Sequence, residues 1–239
     1  MTAVNFYDLS PDANFNHSPN HSDIQALWQD FFCDGDVCKD IDDLAQHMSK
    51  QDWQDFKNAW RGIDPDDDAA LTDWLIDLFN QLFNQSNIGI MPTVLVRGDG
   101  EPEYFPATGE SPARIEFAHG FFASALHEIS HWCIAGRHRR TLNDFGYWYT
   151  SDGRDAETQA IFEQVEIKPQ SIECLLNQAC GRYFYVSQDN LNADFDTSQS
   201  TFATDVYRQA NSYLIEPQTL PRDAKRLLWV FLKICQNCS

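Results

Sequence analysis

The sequence predicts an α+β protein in which a small β-sheet packs against one helix, with further helices around both. Apolar residues recur at helical spacing in residues 122–133 and, over a longer stretch, in residues 71–83. Residues 93–97 have the composition of a strand, and after a turn at residues 98–100 the chain is expected to return along it at residues 103–105. Residues 113–117 alternate between apolar and charged side chains. Because this last strand runs directly into the first of these helices, we expect the sheet to lie against that helix.

The first 68 residues are predicted to form a helical extension with a poorly ordered lead. Residues 1–21 are rich in Asn, Asp, Ser, His and Pro, and three short helical patterns follow. The acidic turn at residues 64–68 suits the start of the next helix. A chain of 239 residues suits one domain with an appendage, so we assign residues 69–239 to the main domain.

The composition of the chain excludes some classes of function. The formal net charge of −19 argues against nucleic acid as a partner, because phosphate binding depends on clustered Lys and Arg. No apolar run reaches the roughly 18 residues of a membrane span, and the start lacks the pattern of a signal peptide, so we expect a cytoplasmic protein. The seven cysteines show no disulfide framework and are expected to be free thiols.

One motif on the helix after the last strand carries chemistry. His127, Glu128 and His131 fit the pattern H-E-x-x-H, which places two imidazoles one turn apart on the same helix face. Gly120 and Ser124 lie on the same stripe and leave space beside the imidazoles. Two neutral imidazoles can hold a divalent metal if a third ligand completes the site. The alternative is two partly exposed histidines beside a solvated Glu128.

A helix predicted from Asp155 to about Cys180 is the best source of the third ligand. It carries several carboxylates, and its local sequence singles out Glu163 and Glu166. We favour Glu166, because the apolar residues that follow it indicate that this part of the helix is packed.

Three kinds of metal centre are compatible with these residues. In a zinc peptidase, Glu128 is the base that activates a metal-bound water. A hydrolase with three histidines needs His138, whose spacing after His131 fits only approximately. A facial triad of two histidines and one carboxylate holds Fe(II) and leaves positions open for dioxygen. The identity of the ligands does not separate zinc hydrolysis from iron oxidation.

Two further features follow the motif. Arg137–Arg140 is the densest basic cluster of an acidic chain. It either complements the C-terminus of the motif helix, which we expect to stop at Gly136, or contacts an acidic macromolecular partner. Residues 144–149 form an aromatic run that is expected to wall the pocket beside the motif.

The chain closely resembles the bacterial elongation factor P hydroxylase family. The blocks that carry the resemblance are Phe117–Gly136, Asp144–Tyr149, Asp152–Arg154, Phe162–Glu163, Val165–Glu166, Lys168–Gln170 and Asp189–Leu191. They occur in the family's order, between about Leu71 and about Leu232. The first seventy residues are not covered by the resemblance.

This resemblance implies an enzyme that hydroxylates a lysine of elongation factor P already bearing a β-lysyl group. It also implies a fold similar to endoribonuclease-like and zincin-like metalloproteins, and a metal site of the type with two histidines and one carboxylate. In this chain His127 and His131 would be the ligands, with Glu166 as the carboxylate and Glu163 as the alternative. The metal would be Fe(II), with dioxygen as co-substrate, and Glu128 would orient a ligand or shuttle protons.

The implied substrate is a long cationic side chain on a folded protein, so we expect a slot that is open at one end. The walls of this slot would be Phe145, Tyr147, Trp148 and Tyr149, and Glu163 would receive an ammonium group.

Two other functions fit part of the sequence. A zinc peptidase needs only the H-E-x-x-H helix, and a non-catalytic binding module would use the aromatic run and the basic cluster.

Overall fold

A computed structural model describes residues 48–85, 91–147, 153–190, 194–196 and 200–235. Within these ranges the protein has six α-helices and one three-stranded sheet, so the predicted α+β class is confirmed. The helices are α1 (Lys50–Gly62), α2 (Asp68–Phe83), α3 (Phe122–Arg139), α4 (Ala156–Ala179), α5 (Phe202–Ile215) and α6 (Arg222–Cys235). The strands are β1 (Thr93–Arg97), β2 (Glu103–Phe105) and β3 (Ala113–Phe117). The lead and helices predicted before residue 48, together with Trp148 and Tyr149, lie outside the described residues.

Helix α1 begins at a capping box and packs against α2 and α6. The Ser49 hydroxyl accepts a hydrogen bond from the amide of Asp52 at 3.1 Å, and the Asp52 carboxylate accepts one from the amide of Ser49 at 2.7 Å. The ring of Trp60 lies 4.5 Å from that of Trp74 on α2, centroid to centroid. Lys233 of α6 lies over the ring of Trp53 at 5.2 Å. Aromatic contacts therefore join this segment to the helices of the core.

The sheet has the order β1-β3-β2, with β3 parallel to β1 and antiparallel to β2. All three strands lie where the sequence predicts them, but β2 was expected to return along β1 and instead pairs with β3. Leu95, Tyr104 and Ile115 share one register position and are buried, so they form the core face of the sheet. The Asn80 side chain of α2 bonds both the amide and the carbonyl of Leu95, at 2.7 and 3.2 Å. This contact holds the β1 edge against α2.

The chain turns sharply from β3 into α3, the helix that carries the H-E-x-x-H motif. His119 and Gly120 adopt φ angles of 61° and 71°, and the amide of Phe122 then donates to the carboxylate of Asp68 at 3.0 Å. The helix is interrupted at Gly136, where φ is 64° and glycine avoids a steric cost, but it continues to Arg139. The sequence predicts that the helix ends at Gly136, whereas in the structure the helix is broken there and continues for about one more turn.

The residues of the basic cluster at the end of α3 differ in their exposure to solvent. Residues 137–139 are exposed, whereas Arg140 is buried and lies over the ring of Trp132 at 3.6 Å. Its guanidinium donates to the carbonyl of Trp132 and pairs with Asp223 of α6 at 2.7 Å. Arg140 is part of the core, so of the two alternatives for the cluster, contact with an acidic partner does not apply to this residue.

Helix α4 lies against α3, α5 and α6 and is followed by an extended segment, residues 182–190. The side chain of Asp155 caps the start of α4 by accepting from the amide of Thr158 at 2.8 Å. The Gln170 side chain bonds both the amide and the carbonyl of Ser187, at 3.0 and 2.8 Å. Side chains of α4 thus hold the main chain of the extended segment.

No helix in the described ranges combines the length and apolar character needed to cross a membrane.

Candidate metal centre

Helices α3 and α4 bring two imidazoles and one carboxylate together. The Nε2 atoms of His127 and His131 are 3.1 Å apart. The carboxylate of Glu166 lies 3.2 Å from Nε2 of His131 and 3.6 Å from Nε2 of His127. The side chains of His127, His131 and Glu166 are 29%, 17% and 6% exposed, so the group is open on the histidine side and closed by the glutamate.

The two helices place these side chains because each has one apolar and one polar face. On α3, Ala125, Ile129 and Trp132 are buried in the core, and the histidines fall on the adjacent face. On α4, polar residues recur every three or four positions and so share one face. These residues are Gln159, Glu163, Glu166, Gln170, Glu173 and Asn177, and all except Glu163 are buried.

A second carboxylate from α4 contacts the opposite side of the His127 ring. Oε2 of Glu173 lies 2.9 Å from Nδ1 of His127, and the side chain is buried. Glu173 is one of the several carboxylates of this helix to which the sequence assigned no role. Its position seven residues after Glu166 was an available signal, because that spacing repeats the same helix face after two turns.

The Gln170 side chain lies between these two glutamates on α4. Its Nε2 donates to Oε2 of Glu166 at 3.4 Å and to the carbonyl of Ser187 at 2.8 Å. The amide is buried, and its oxygen accepts from the amide of Ser187. Gln170 therefore connects the Glu166 carboxylate to the extended segment.

The charges of the cluster shift the pKa values of its members in opposite directions. Burial disfavours the protonated form of His127, but the hydrogen bond to Glu173 and the charges of Glu166, Glu173 and Glu128 raise its pKa to about 10. Burial disfavours the ionised form of Glu166, but the two histidines and the Gln170 hydrogen bond lower its pKa to about 2. Without a metal, the site therefore favours a cationic imidazole beside an ionised carboxylate.

Glu128 is half-buried on α3 next to His127. Burial raises its pKa, the charges of His127 and His131 oppose this shift, and the charges of Glu166 and Glu173 add to it. The carboxyl group thus lies within electrostatic range of the whole cluster and holds a proton more readily than an exposed glutamate.

Glu163 lies one turn before Glu166 but faces a different neighbourhood. Its carboxylate accepts hydrogen bonds from Ser200 at 2.7 Å, Gln159 at 3.2 Å and Gln188 at 3.4 Å. Among the described residues, the group of potential metal ligands within 4.8 Å of one another contains His127, His131 and Glu166, and neither Glu163 nor His138. The geometry therefore favours Glu166 over the alternatives that the sequence left open.

The aromatic run after α3 is only partly at the surface. Phe145 is buried and stacks on Tyr104 with 4.1 Å between ring centroids, so the expectation that it walls a pocket is wrong. The ring of Tyr147 is half-buried and lies under the guanidinium of Arg139 at 4.1 Å. Trp148, the third aromatic residue expected near the substrate, lies outside the described residues.

The donor set of the cluster fits a divalent transition metal. Two ligands at right angles, with bonds of about 2.1 Å, lie about 3 Å apart, and the imidazole nitrogens are separated by 3.1 Å. Imidazole and carboxylate together suit iron, manganese and zinc. His127 also has its Nδ1 occupied by Glu173, as in many metal-binding histidines.

Fold and site together define an α+β protein with a potential metal centre between two core helices. Comparison with known proteins identifies the family. The family model described as elongation factor P hydroxylase matches residues 78–237. The elongation factor P lysine hydroxylase of Haemophilus influenzae is 46% identical over 154 residues, which are 64% of this chain and 83% of that protein. The chain belongs to the elongation factor P hydroxylase family.

Proposed function

We propose that this protein is an Fe(II)-dependent oxidoreductase that hydroxylates the β-lysylated lysine of elongation factor P, with dioxygen as co-substrate. The observation that carries this proposal is the cluster of His127, His131 and Glu166 in a member of the hydroxylase family. The name of the Haemophilus influenzae relative, a lysine hydroxylase of elongation factor P, supports the class of substrate.

The three residues of the cluster would hold the metal through Nε2 of each imidazole and the carboxylate of Glu166. Bound there, iron supplies redox chemistry for dioxygen activation and C–H oxidation, which zinc lacks. The side chains contribute charge and order. Glu166 is ionised and already buried, so it offsets part of the charge of a divalent cation and loses little further contact with solvent when the cation binds.

We assign Glu128 a role in proton transfer at this site. Hydroxylation inserts one atom of dioxygen into a C–H bond and reduces the other to water, and it consumes two electrons and two protons from an added reductant and solvent. A half-buried carboxyl group beside the cluster, with a raised pKa, can hold and release such a proton.

The substrate side chain would lie along Tyr147 and Trp148, with an ammonium group at Glu163. Support for Glu163 comes from its partners, because Ser200, Gln159 and Gln188 are neutral donors that do not balance the charge of the carboxylate. An aromatic wall suits the aliphatic part of a modified lysine.

We assign the hydroxylase activity to residues 69–239 and treat residues 1–68 as an extension. The partner would be elongation factor P, and a net charge of −19 argues against DNA. We place the protein in the cytoplasm, where translation factors act.

The test of this function is intact-mass analysis of β-lysylated elongation factor P incubated with iron-loaded protein, a reductant and air. We expect the partner to gain one oxygen atom, and His127→Ala to abolish the gain. His138→Ala is a matched control, because this exposed histidine lies on the same helix outside the cluster. Cleavage of the partner without a gain of oxygen would favour the zinc peptidase and contradict the proposal.

A further inference from the structure

We infer that Glu173 is a positioning residue, which fixes the tautomer and the ring orientation of His127 for metal binding. This inference rests on the proposed metal centre, although neither the motif nor the proposed reaction requires this residue. It begins from the contact between Nδ1 of His127 and Oε2 of Glu173, which is 2.9 Å long and directed away from the cluster.

The hydrogen bond to Glu173 determines which ring nitrogen of His127 is available to bind a metal. A carboxylate only accepts hydrogen bonds, so Nδ1 of His127 must carry the proton in this pair. In the neutral imidazole that binds a metal, Nε2 then has the free lone pair. That atom lies 3.1 Å from Nε2 of His131 and 3.6 Å from Glu166, so the lone pair is on the side of the ring that faces the cluster.

The contact also restrains the ring in space. Glu173 lies on the same helix as Glu166, and its side chain is only 11% exposed. Its neighbours Ile172 and Cys174 are buried in the core, which holds this turn of α4 in place. Two rigid helices therefore set the distance between the carboxylate and the ring, and His127 loses little rotational freedom when a metal binds.

The third effect is electronic. A carboxylate on the remote nitrogen increases the basicity of the imidazole and its strength as a ligand. Loss of such a partner typically lowers metal affinity by about 10–100-fold. A buried ion pair that merely stabilises the fold would lower stability when broken but leave the metal affinity of the folded protein unchanged.

The experiment compares Co²⁺ binding by the full chain, Glu173→Gln, Glu173→Ala and the control Glu157→Gln. The dissociation constant is measured by competition with a chromophoric chelator, and the unfolding of the metal-free forms is measured with urea. We expect Glu173→Ala to weaken Co²⁺ binding by about 10–100-fold. The Co²⁺ affinity of Glu173→Gln should lie between that of the unchanged protein and that of Glu173→Ala. Its amide oxygen still accepts a hydrogen bond from Nδ1 of His127 but carries no charge. The control Glu157→Gln should bind like the unchanged protein, because this glutamate is exposed on the first turn of α4 and lies outside the cluster.

The same variants loaded with Zn²⁺ provide a spectroscopic readout. We expect a slowly exchanging Nδ1 proton on His127 in the unchanged protein and in Glu173→Gln, and fast exchange in Glu173→Ala. If Glu173→Ala does not fold, the intermediate affinity of Glu173→Gln still tests the inference. Equal Co²⁺ affinity of the unchanged protein and the folded Glu173 variants would overturn the inference alone. Absence of Co²⁺ binding by the unchanged protein would overturn the proposed metal centre as well.

Discussion

The guanidinium of Arg140 lies 2.7 Å from the carboxylate of Asp223, and both side chains are almost completely buried. The pair joins the end of α3 to the beginning of α6. Arg226 approaches the same carboxylate at 3.2 Å, and Arg140 also donates to the carbonyl of Trp132. The helix that presents the two histidines is therefore anchored at its C-terminal end by a buried ionic network.

Asp223→Ala should destabilise the protein by about 3–5 kcal/mol, because it leaves two guanidinium groups buried without their carboxylate. The measurement is the free energy of unfolding in urea. The control is Asp73→Ala. Asp73 forms a largely exposed ion pair with Arg97 at 2.6 Å, and such a pair contributes less than about 1 kcal/mol to stability. Equal losses in the two variants would contradict the assigned role of the buried network.

Glu166→Gln should weaken metal binding much more than Glu163→Gln. The first variant removes the charged oxygen that lies 3.2 Å from Nε2 of His131, whereas the second changes a carboxylate bonded to neutral side chains. We expect a loss of at least about 100-fold for Glu166→Gln, which exceeds the usual effect of residues that only contact a ligand. Titration with Co²⁺ measures both. Circular dichroism confirms that each variant is folded, and the reverse order of losses would move the third ligand to Glu163.

Tyr104→Phe should make the protein less sensitive to alkaline pH. Burial raises the pKa of Tyr104 to about 12, although the charge of Arg140 opposes the shift. An unfolded tyrosine ionises at about 10, so the neutral phenol contributes its full stabilisation below that pH and loses it as the pH rises toward 12.

The phenylalanine variant loses the hydrogen bond from the Tyr104 hydroxyl to the Arg140 carbonyl, so it should be less stable than the original protein at about pH 8. Its free energy of unfolding should then fall less steeply between about pH 10 and about pH 12. Urea unfolding at a series of pH values gives both slopes, and parallel slopes would refute the assignment to Tyr104.

A truncated chain that begins at Asp66 should bind metal but unfold more easily. It lacks α1, so Trp74 loses its contacts with Trp60 and Phe56 and becomes exposed. Uncovering large apolar side chains costs about 1.5–3 kcal/mol each. Thermal unfolding compared with a chain that begins at Met48 measures the loss. A truncated chain that folds and fails to bind Co²⁺ would show that the first 65 residues contribute to the site.

Local periodicity explains which parts of the fold could be predicted from the sequence. The bounds of β1, β2 and β3 and the start of the H-E-x-x-H helix follow from patterns of apolar residues within a few positions. The position of β3 between β1 and β2 could not be predicted in this way, because β1 pairs with β3 across the whole of β2 and its flanking loops. Phe145 is buried because φ angles of 46° at Asp144 and 56° at Phe145 turn the chain, and a positive φ is uncommon for phenylalanine.

The candidate site was predictable to the extent that one helix encodes it. The spacing of His127 and His131 requires only helical geometry, so both imidazoles lie together as expected. The choice of Glu166 depends on how α4 is rotated against α3, which the sequence indicates only through the burial of later residues. The role of Glu173 could not be predicted, because a lone carboxylate on a helix is ordinarily solvated. Its contact with Nδ1 of His127 arises only when the two helices pack against each other.

The amide of Gln170 takes the place of a neighbouring strand. It pairs with both polar groups of the Ser187 main chain, as a peptide group does in a sheet, and so supplies the hydrogen bonds that a neighbouring strand would give to this residue. Its remaining N–H is directed at the ionised carboxylate of Glu166. A glutamate at position 170 would present an acceptor to the Ser187 carbonyl and a second negative charge to Glu166. The electrostatics of the site therefore favour a neutral amide at position 170, outside the cluster of potential metal ligands.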